Sequence, residues 1–144
     1  IAKHFNWVHT VDRIKIARRL DEMRPNNLPP LNICVQINTS GESSKSGITL
    51  DDVDDFLQEL KPFKRLKIRG LMSLPAPSDS FDKQRQSFSA LNKKFQTLNL
   101  SNPELDTLSI GTTQDLVAAI AEGATIVRIG TALFGPRNTG KHPD

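Results

Sequence analysis

The stretch Leu31-Asn32-Ile33-Cys34-Val35-Gln36-Ile37-Asn38 decides the fold class of this chain. This near-continuous apolar run lies between the turn-forming pair Pro29-Pro30 and a polar loop over residues 39–47. An apolar run of this length, bounded by turn formers, is typical of a strand that is buried on both faces, as in a parallel sheet. We therefore expect a parallel sheet that is covered by helices.

The same alternation of strand and helix extends over the rest of the chain. Apolar patterning predicts five strands, over residues 5–11, 31–38, 66–74, 105–110 and 125–130. A helix or a helical turn is expected after each strand, and Asp12 is placed to cap the first of these helices. Such an order requires parallel strands with right-handed crossovers, so the fold class is α/β. The pattern alone leaves two architectures open: a segment of a (β/α)₈ barrel, and an open doubly wound sheet.

Length and composition limit the choice of protein class. The chain has 144 residues, of which 37% are hydrophobic and 24% are charged, as in a globular domain. A complete (β/α)₈ barrel usually needs about 250 residues, and the first residue is Ile rather than Met. We therefore expect a fragment of a larger protein. No apolar run approaches the roughly 18 residues of a membrane span, and no leader peptide opens the chain.

Several kinds of site are not indicated by the sequence. The single cysteine, Cys34, cannot form an internal disulfide, which favours a reducing, cytoplasmic setting. No Cys/His cluster has the spacing of metal ligands, and no glycine-rich nucleotide motif is present. The formal net charge is +3, but basic and acidic residues are interspersed. The charge therefore does not indicate a nucleic-acid partner.

The last two loops that lead from a strand into a helix give the strongest indication of a ligand site. Glycine lets a phosphate approach the backbone, and a threonine hydroxyl adds a hydrogen-bond donor. An equally weighted alternative is that the glycines permit tight turns and the threonines cap helices. The residues concerned are Ser109, Gly111 and Thr113 in one loop and Arg128, Gly130 and Thr131 in the other.

Arg128 lies within an apolar predicted strand, where an unpaired guanidinium would be costly. It therefore needs a partner at the end of the strand. The structural alternative to a ligand-binding role is an ion pair with a carboxylate such as Asp106.

Three further side chains have both a chemical and a structural interpretation. His9 has the pKa of an acid–base group, but beside Trp7 on a short strand it is more typical of a hydrogen-bonded packing residue. Cys34 lies in the middle of a strand, which favours a buried, inert thiol. Lys45 either faces a ligand or is a solvated loop lysine. The basic stretch over residues 61–69 is read as a solvated surface.

Five collinear strings closely resemble the pyridoxal phosphate homeostasis protein family. They come in the family's order and spacing across almost the whole chain. The strings are residues 7–13 (WVHTVDR), 31–38 (LNICVQIN) with 43–47 (SSKSG), 69–77 (RGLMSLPAP), 106–111 (DTLSIG) and 127–135 (VRIGTALFG).

The resemblance implies a fold. The family is similar to the N-terminal domain of alanine racemase, a (β/α)₈ barrel that binds pyridoxal 5'-phosphate (PLP). The chain then resembles a C-terminal portion of a member, with residues 1–144 forming one partial barrel domain that covers about strands four to eight. The family's cofactor lysine lies on strand one, upstream of Ile1, so the resemblance implies no catalytic residue in this chain.

The resemblance also implies the site. Thr113, Gly130 and Thr131 would hold the phosphate, while Ser109 and Gly111 would shape the same pocket.

Arg128 would lie against the pyridine nitrogen of the cofactor. A cation there disfavours protonation of the nitrogen, which makes the ring a poorer electron sink. The chain departs from the family in residues 109–115, which read SIGTTQD where members usually read Ser-Met-Gly-Met-Ser followed by acidic residues. Thr113 keeps the hydroxyl that a phosphate needs.

The function implied is intracellular homeostasis of PLP, by buffering or delivering the cofactor without established turnover. PLP-dependent apoenzymes would be the recipients, the full-length protein would be a cytoplasmic monomer, and no metal, nucleic acid or membrane is expected. Two alternatives stay open. A PLP-dependent amino-acid racemase would need a second base, usually a tyrosine, and the chain has none. A cofactor-free interaction fragment would follow from the open edges of a partial barrel.

Overall fold

The computed structural model describes residues 1–40 and 45–135. The strand and helix alternation predicted from the sequence is confirmed in its first four units. The elements in chain order are β1 (Trp7–Val11), α1 (Ile14–Met23), β2 (Leu31–Ile37), α2 (Val53–Leu60), β3 (Leu66–Ser73), α3 (Phe81–Ser101), β4 (Thr107–Ser109), α4 (Leu116–Ala121) and α5 (Thr131–Phe134).

The four strands form one parallel sheet in the order β1-β2-β3-β4. Spatial order therefore follows chain order, with Leu31 beside Leu66 and Leu71 beside Leu108. A doubly wound sheet reverses its strand order at a switch point, whereas a (β/α)₈ barrel adds each strand beside the previous one. The observed order is that of a barrel, which decides between the two architectures that the sequence left open.

The hydrophobic core lies between one face of the sheet and the helices. Alternate residues of β2 contribute to this core, namely Leu31, Ile33, Val35 and Ile37, and all are essentially inaccessible. Helices α1 to α4 contribute apolar side chains to the same cluster. All four of these helices therefore cover one face of the sheet.

The second face of the sheet is more polar. Because successive side chains of a strand point to opposite faces, the residues between the core positions lie here. They include His9 on β1 and Cys34 and Gln36 on β2, and both of these β2 residues are buried. The prediction that β2 is buried on both faces is confirmed. In a barrel this face points into the interior.

The prediction of a fifth strand over residues 125–130 is wrong. The segment runs beside β4 but forms one isolated parallel bridge, between Ser109 and Ile126. The hydroxyl of Thr125 accepts the backbone N–H of Leu108 at 2.8 Å, in place of a backbone carbonyl. The N–H groups of Thr125 and Ile126 both donate to the Leu108 carbonyl, at 3.0 and 3.3 Å. A side-chain oxygen thus interrupts the regular ladder, and no continuous strand forms.

The prediction that Asp12 caps α1 is also wrong. The capping position belongs to Arg13, which has no side-chain capping bond. Asp12 instead pairs with Arg13 at 3.1 Å and accepts the backbone N–H of Gly47 at 3.2 Å. Its carboxylate therefore ties the end of β1 to the loop that follows β2.

Residues 1–40 and 45–135 contain neither a membrane-spanning helix nor a cluster of metal ligands. No helix there is both long enough and apolar enough to span a membrane. No group of three His, Cys, Asp or Glu side chains there is placed to hold a metal ion.

Candidate functional site

The candidate site lies at the carboxyl ends of β3 and β4, where the segment after α4 returns beside the sheet. In barrel proteins, ligands bind at this end of the strands. The site is built around the guanidinium of Arg128, which the segment over residues 124–130 carries to the ends of the two strands.

Arg128 binds the ends of two neighbouring strands. Its Nη1 donates to the carbonyl oxygen of Ser109 at 2.8 Å and to the Ser109 hydroxyl at 2.7 Å. Its Nη2 donates to the carbonyl oxygen of Ser73 at 2.9 Å. These three bonds fix the plane of the guanidinium at the ends of β3 and β4.

The structural alternative for Arg128, an ion pair with Asp106, is wrong. Asp106 lies at the opposite end of β4 and pairs with Arg69, whose Nε is 3.0 Å from the carboxylate. Backbone carbonyl groups and one hydroxyl therefore satisfy Arg128, so its cation stays available for a further acceptor.

His9 extends this network to β1. Its Nδ1 lies 2.9 Å from the Ser109 hydroxyl, and its ring packs edge-on against Trp7 with 5.7 Å between the ring centroids. The interpretation of His9 as a hydrogen-bonded packing residue is confirmed. Burial and the nearby charge of Arg128 both lower the pKa of His9, and burial makes the larger contribution.

Burial also lowers the pKa of Arg128, since desolvation penalises the charged form. The coulombic effects of Asp115 and of Cys34 oppose this shift. An arginine nevertheless stays a cation at neutral pH, because its ordinary pKa lies far above 7. The site therefore carries a fixed positive charge in a half-buried position.

An open cleft of about 380 Å³ lies beside Arg128. This volume falls in the usual range of small-molecule sites, roughly 300 to 1,000 Å³. The cleft brings together four of the six site residues predicted from the sequence. Its lining consists of Thr112, Thr113, Gln114, Arg128, Gly130 and Thr131. The other two lie nearby: Ser109 is buried beneath Arg128, and Gly111 lines an adjoining cavity of about 50 Å³ to which Arg128 also contributes.

The two predicted glycines, Gly111 and Gly130, differ in whether the backbone conformation and the packing require a glycine. Gly111 has a φ of +91°, and a Cβ there would lie 2.5 Å from the Cβ of Ala119. Its turn and its packing both need glycine. Gly130 has a φ of −117°, and a Cβ there would meet nothing within 4 Å. Neither backbone strain nor protein packing accounts for Gly130, so this glycine leaves space that opens on the cleft.

Polar residues line this cleft. The hydroxyl of Thr113 accepts the backbone N–H of Ala132 at 3.3 Å, which joins the loop after β4 to the start of α5. Within residues 1–40 and 45–135, no hydrogen bond is donated by the backbone N–H groups of Thr113, Gly130 and Thr131. Hydroxyl groups, unpaired N–H groups and a guanidinium are the donors that a phosphorylated ligand requires.

The other candidate side chains from the sequence, Cys34 and Lys45, do not line this cleft. Cys34 is fully buried, and burial raises its pKa to about 12, so the predicted inert thiol is confirmed. Lys45 is partly exposed, and its carbonyl oxygen accepts from the Asn38 amide at 3.4 Å. A ligand role for Lys45 stays a prediction. Ser43 and Ser44, which belong to one of the resembling strings, lie outside the described residues.

The basic stretch forms ion pairs with acidic partners on other elements. Lys67 lies 3.0 Å from Glu104, and Arg65 lies 3.8 Å from Asp21. These pairs, and the exposure of Lys61 and Lys64, agree with the prediction that the stretch is a solvated surface.

Sequence reasoning did not single out Ser73, which holds Arg128 in place. Ser73 is fully buried at the end of β3, and its hydroxyl lies 2.9 Å from the hydroxyl of Thr39, which follows β2. Its carbonyl oxygen binds Arg128. A backbone acceptor has no side-chain signature, so only its position at a strand end could have indicated it.

The fold and this cleft define the class: a barrel-type α/β protein with an open cleft at the carboxyl ends of its strands. The chain belongs to the family described as "Alanine racemase, N-terminal domain", whose sequence model matches residues 1–138. The solved alanine racemase of Corynebacterium glutamicum shares this fold, with a TM-score of 0.67 at 13% identity over 94% of this chain and 38% of that one.

Curated relatives are more similar in sequence. The pyridoxal phosphate homeostasis protein of Pseudomonas aeruginosa is 53% identical over 97% of this chain and 60% of the relative. The protein of the same description from Escherichia coli K12 is 47% identical over 98% of this chain and 60% of the relative. The chain thus spans about 60% of the length of the curated relatives it matches.

Two solved structures of PipY from Synechococcus elongatus are similar to this chain. One, without PLP, has a TM-score of 0.79 at 32% identity. The other, with PLP bound, has a TM-score of 0.76 at 30% identity. Each similarity covers 92% of this chain and 62% of PipY.

These comparisons correct one expectation. The resemblance implied that the chain is only a C-terminal portion, but the family model that matches residues 1–138 describes an N-terminal domain. The C-terminal assignment is therefore contradicted. The numbering of its strands as four to eight is not confirmed either, since the sheet formed by residues 1–40 and 45–135 has four strands rather than five.

Proposed function

We propose that this protein binds PLP and serves its homeostasis, by buffering or delivering the cofactor. The observation that carries the proposal is the open space at Gly130, which lies in one cleft with the hydroxyls of Thr113 and Thr131 and the guanidinium of Arg128. Relatives that are about half identical to this chain are described as pyridoxal phosphate homeostasis proteins, and a structure of PipY holds PLP.

The phosphate would be held by Thr113, Gly130 and Thr131. Two hydroxyl groups and the backbone N–H groups of the loops donate hydrogen bonds, and the absence of a side chain at Gly130 lets the phosphate reach the backbone. Ser109 and Gly111 shape the pocket, Ser109 by binding Arg128 and Gly111 by permitting the turn after β4.

Arg128 would donate a hydrogen bond to the pyridine nitrogen. Three of its N–H groups bind Ser109 and Ser73, which leaves two of the five guanidinium donors for a ligand. A guanidinium donates and does not accept, so it favours the unprotonated form of the pyridine nitrogen.

PLP acts as an electron sink in enzymes, and this capacity is greatest when its pyridine nitrogen is protonated. The arrangement at Arg128 therefore suits retention of the cofactor or a restricted chemistry. We propose a binding protein without catalytic turnover in preference to a racemase, which would need a second base, usually a tyrosine, and the sequence contains no tyrosine.

The wider proposal concerns the whole protein. Residues 1–144 would form a single partial domain of a (β/α)₈ barrel, in a cytoplasmic, monomeric protein that passes PLP to PLP-dependent apoenzymes. Support comes from the strand order of the sheet and from the descriptions of the relatives.

A comparison of PLP with pyridoxal, which lacks the phosphate, tests this proposal. Equilibrium dialysis should show PLP bound at least about tenfold more tightly than pyridoxal. Thr113→Val and Thr131→Val should each weaken PLP binding by about tenfold or more, because each removes a hydrogen bond to a charged group. Neither substitution should change pyridoxal binding. Thr97→Val is the matched control, since Thr97 is exposed on α3 and its hydroxyl donates to the Lys93 carbonyl.

Equal affinity for PLP and pyridoxal would contradict the phosphate site. Full PLP affinity in both cleft variants would contradict its placement at Thr113 and Thr131. A circular dichroism spectrum of each variant establishes that any loss of binding occurs in folded protein.

A further inference from the structure

We propose that His9 is a positioning residue for Arg128: its neutral Nδ1 accepts the Ser109 hydroxyl proton and so turns the oxygen lone pairs toward the guanidinium. The inference rests on the proposed function, because Arg128 is the group that would contact the ligand. His9 itself lines no part of the cleft.

The Ser109 hydroxyl has one proton and two hydrogen-bonding neighbours, Arg128 and His9. Its hydroxyl oxygen lies 2.7 Å from Arg128 Nη1 and 2.9 Å from His9 Nδ1. A guanidinium nitrogen can only donate, so the hydroxyl accepts from Arg128. The single hydroxyl proton is then free to point at His9 Nδ1, which accepts it. One hydroxyl thus satisfies both neighbours when His9 is neutral and carries its proton on Nε2.

Protonation of His9 breaks this arrangement. A protonated Nδ1 would donate to the same oxygen that Arg128 already uses, and the Ser109 proton would lose its acceptor. A second positive charge would also stand next to the guanidinium. The structure therefore favours neutral His9, in agreement with the lowering of its pKa by burial and by Arg128.

The other ionisable groups near His9 do not reverse this preference. On β2, the buried Cys34 stays neutral because its pKa is raised to about 12. On β3, Arg69 lies over the Trp7 ring at 4.8 Å and is neutralised by Asp106 on the loop before β4.

The orientation of the Ser109 hydroxyl affects the two guanidinium N–H groups of Arg128 that remain for a ligand. Ser109 and Ser73 hold the guanidinium from two sides, and the hydroxyl is the one acceptor of the set that can rotate away. His9 removes that freedom by fixing the direction of the hydroxyl proton.

Two substitutions of His9 separate positioning from packing. His9→Asn keeps an acceptor, since its Oδ1 takes the place of Nδ1, but it does not titrate. His9→Phe keeps an aromatic ring against Trp7 and removes the acceptor. At pH 8 we expect His9→Phe to bind PLP about five- to tenfold more weakly, the effect of one hydrogen bond, while His9→Asn keeps most of the affinity. His4→Asn and His4→Phe are the matched controls, because His4 is exposed and lies away from the site.

The pH profile supplies the readout that packing would not change. The phosphate of PLP takes up a proton with a pKa near 6, so every variant loses affinity in acid. Only proteins that retain His9 should show an additional loss below a pH of about 6.5, as the ring protonates. The proposal is overturned if His9→Phe binds as tightly as the unsubstituted protein at pH 8. It is equally overturned if His9→Asn has the pH profile of the unsubstituted protein.

A measurement without PLP distinguishes failure of this inference from failure of the proposed function. Long-range proton–nitrogen NMR of the histidine rings reports which nitrogen of His9 carries the proton. We expect the Nε2–H form, with a midpoint of titration below the usual value for a histidine, because burial and Arg128 lower the pKa of His9. An Nδ1–H form would show that His9 donates rather than accepts, and would overturn the inference even if PLP binds. Absence of PLP binding to the unsubstituted protein would refute the proposed function while this measurement still decides the role of His9.

Discussion

Arg128 and Ser109 are 19 residues apart in the chain and share two hydrogen bonds through one guanidinium nitrogen, at 2.8 Å to the carbonyl oxygen and 2.7 Å to the hydroxyl. This contact joins the segment after α4 to the end of β4, where a continuous fifth strand does not form. Together with the bond to Ser73, it places a cation across two strand ends in a fixed orientation.

Replacement of Arg128 by lysine should weaken both the fold and the site. An ammonium group has no planar fork and cannot reach acceptors on β3 and β4 simultaneously. We expect Arg128→Lys to lower the free energy of unfolding by about 1 to 3 kcal/mol and to weaken PLP binding about tenfold or more. Urea unfolding and equilibrium dialysis measure the two effects. Arg18→Lys, on the exposed side of α1, should change neither.

Full PLP affinity in folded Arg128→Lys would show that positive charge alone is sufficient at this position. The fixed direction of the guanidinium donors would then have no role in binding.

The two glycines of the site should respond in opposite ways to alanine. Gly111→Ala places a Cβ 2.5 Å from Ala119 at a φ of +91°, so we expect a loss of about 1 to 3 kcal/mol in stability. Gly130→Ala meets no protein atom within 4 Å at a φ of −117°, so its stability should be unchanged or slightly increased.

The binding of PLP should separate the same two variants. The methyl group of Gly130→Ala stands where we place the phosphate, and PLP affinity should fall on the order of tenfold, or about 1.4 kcal/mol. Thermal unfolding with and without PLP gives both quantities. Normal PLP binding by Gly130→Ala would remove the main support for the phosphate site.

Arg24 should matter for stability and not for binding. It is 2% exposed, and it donates to the carbonyl oxygens of Ala2, Phe5 and Pro29 at 2.7 to 2.9 Å. Its third nitrogen, Nη2, is buried and has no partner within residues 1–40 and 45–135. Arg24→Ala leaves a cavity and three carbonyl groups without their donor, so we expect a loss of about 2 to 5 kcal/mol.

Chemical denaturation measures this loss for Arg24→Ala, and the PLP affinity of the remaining folded protein should equal that of the unsubstituted protein. A fall in that affinity would connect the segment before β1 to the cleft, which the structure does not do.

The lowered pKa of His9 predicts a pH dependence of stability. The ring binds its proton less readily in the folded protein than in the unfolded chain, where its pKa is about 6.5. The unfolded chain therefore holds more protons between the two pKa values, and the free energy of unfolding rises with pH through that window. This contribution is complete above the unfolded pKa and is lost as the pH falls through the folded pKa.

Denaturation curves of the unsubstituted protein and of His9→Asn between pH 5 and pH 8 isolate this contribution, because the other titrating groups are shared. The difference in stability between the two proteins should change with pH below about 6.5. A constant difference would mean that His9 titrates normally in the folded protein.

The sequence was informative where a side chain's own character decides its environment. The near-continuous apolar run at β2, bounded by turn formers, allowed both its strand and its two-sided burial to be predicted, because burial on both faces removes those side chains from water. The prediction failed for residues 125–130, which are apolar enough for a strand. There the Thr125 hydroxyl competes with the backbone for the Leu108 N–H, a tertiary contact that strand propensity does not report.

The prediction of the candidate site was limited in the same way, by tertiary contacts that the sequence does not report. An arginine inside an apolar segment correctly indicated that Arg128 needs partners, but its acceptors are oxygens of Ser109 and Ser73, 19 and 55 residues away. Carbonyl oxygens occur at every residue, so the sequence could not single these acceptors out, and the structural alternative that it offered was a carboxylate such as Asp106. Gly111 and Gly130 are the same residue type, so the sequence cannot tell them apart. Only their φ angles and neighbouring atoms show that packing requires glycine at position 111, whereas position 130 borders open space.

We place the phosphate of PLP in the cleft at Gly130 and its pyridine nitrogen against Arg128. A crystal structure of the protein with PLP tests this placement most directly. We expect phosphate oxygens within hydrogen-bond distance of the Thr113 and Thr131 hydroxyls and of the Gly130 N–H, with the guanidinium of Arg128 donating to the ring nitrogen. Phosphate density at any other position, or a ring nitrogen turned away from Arg128, would contradict it.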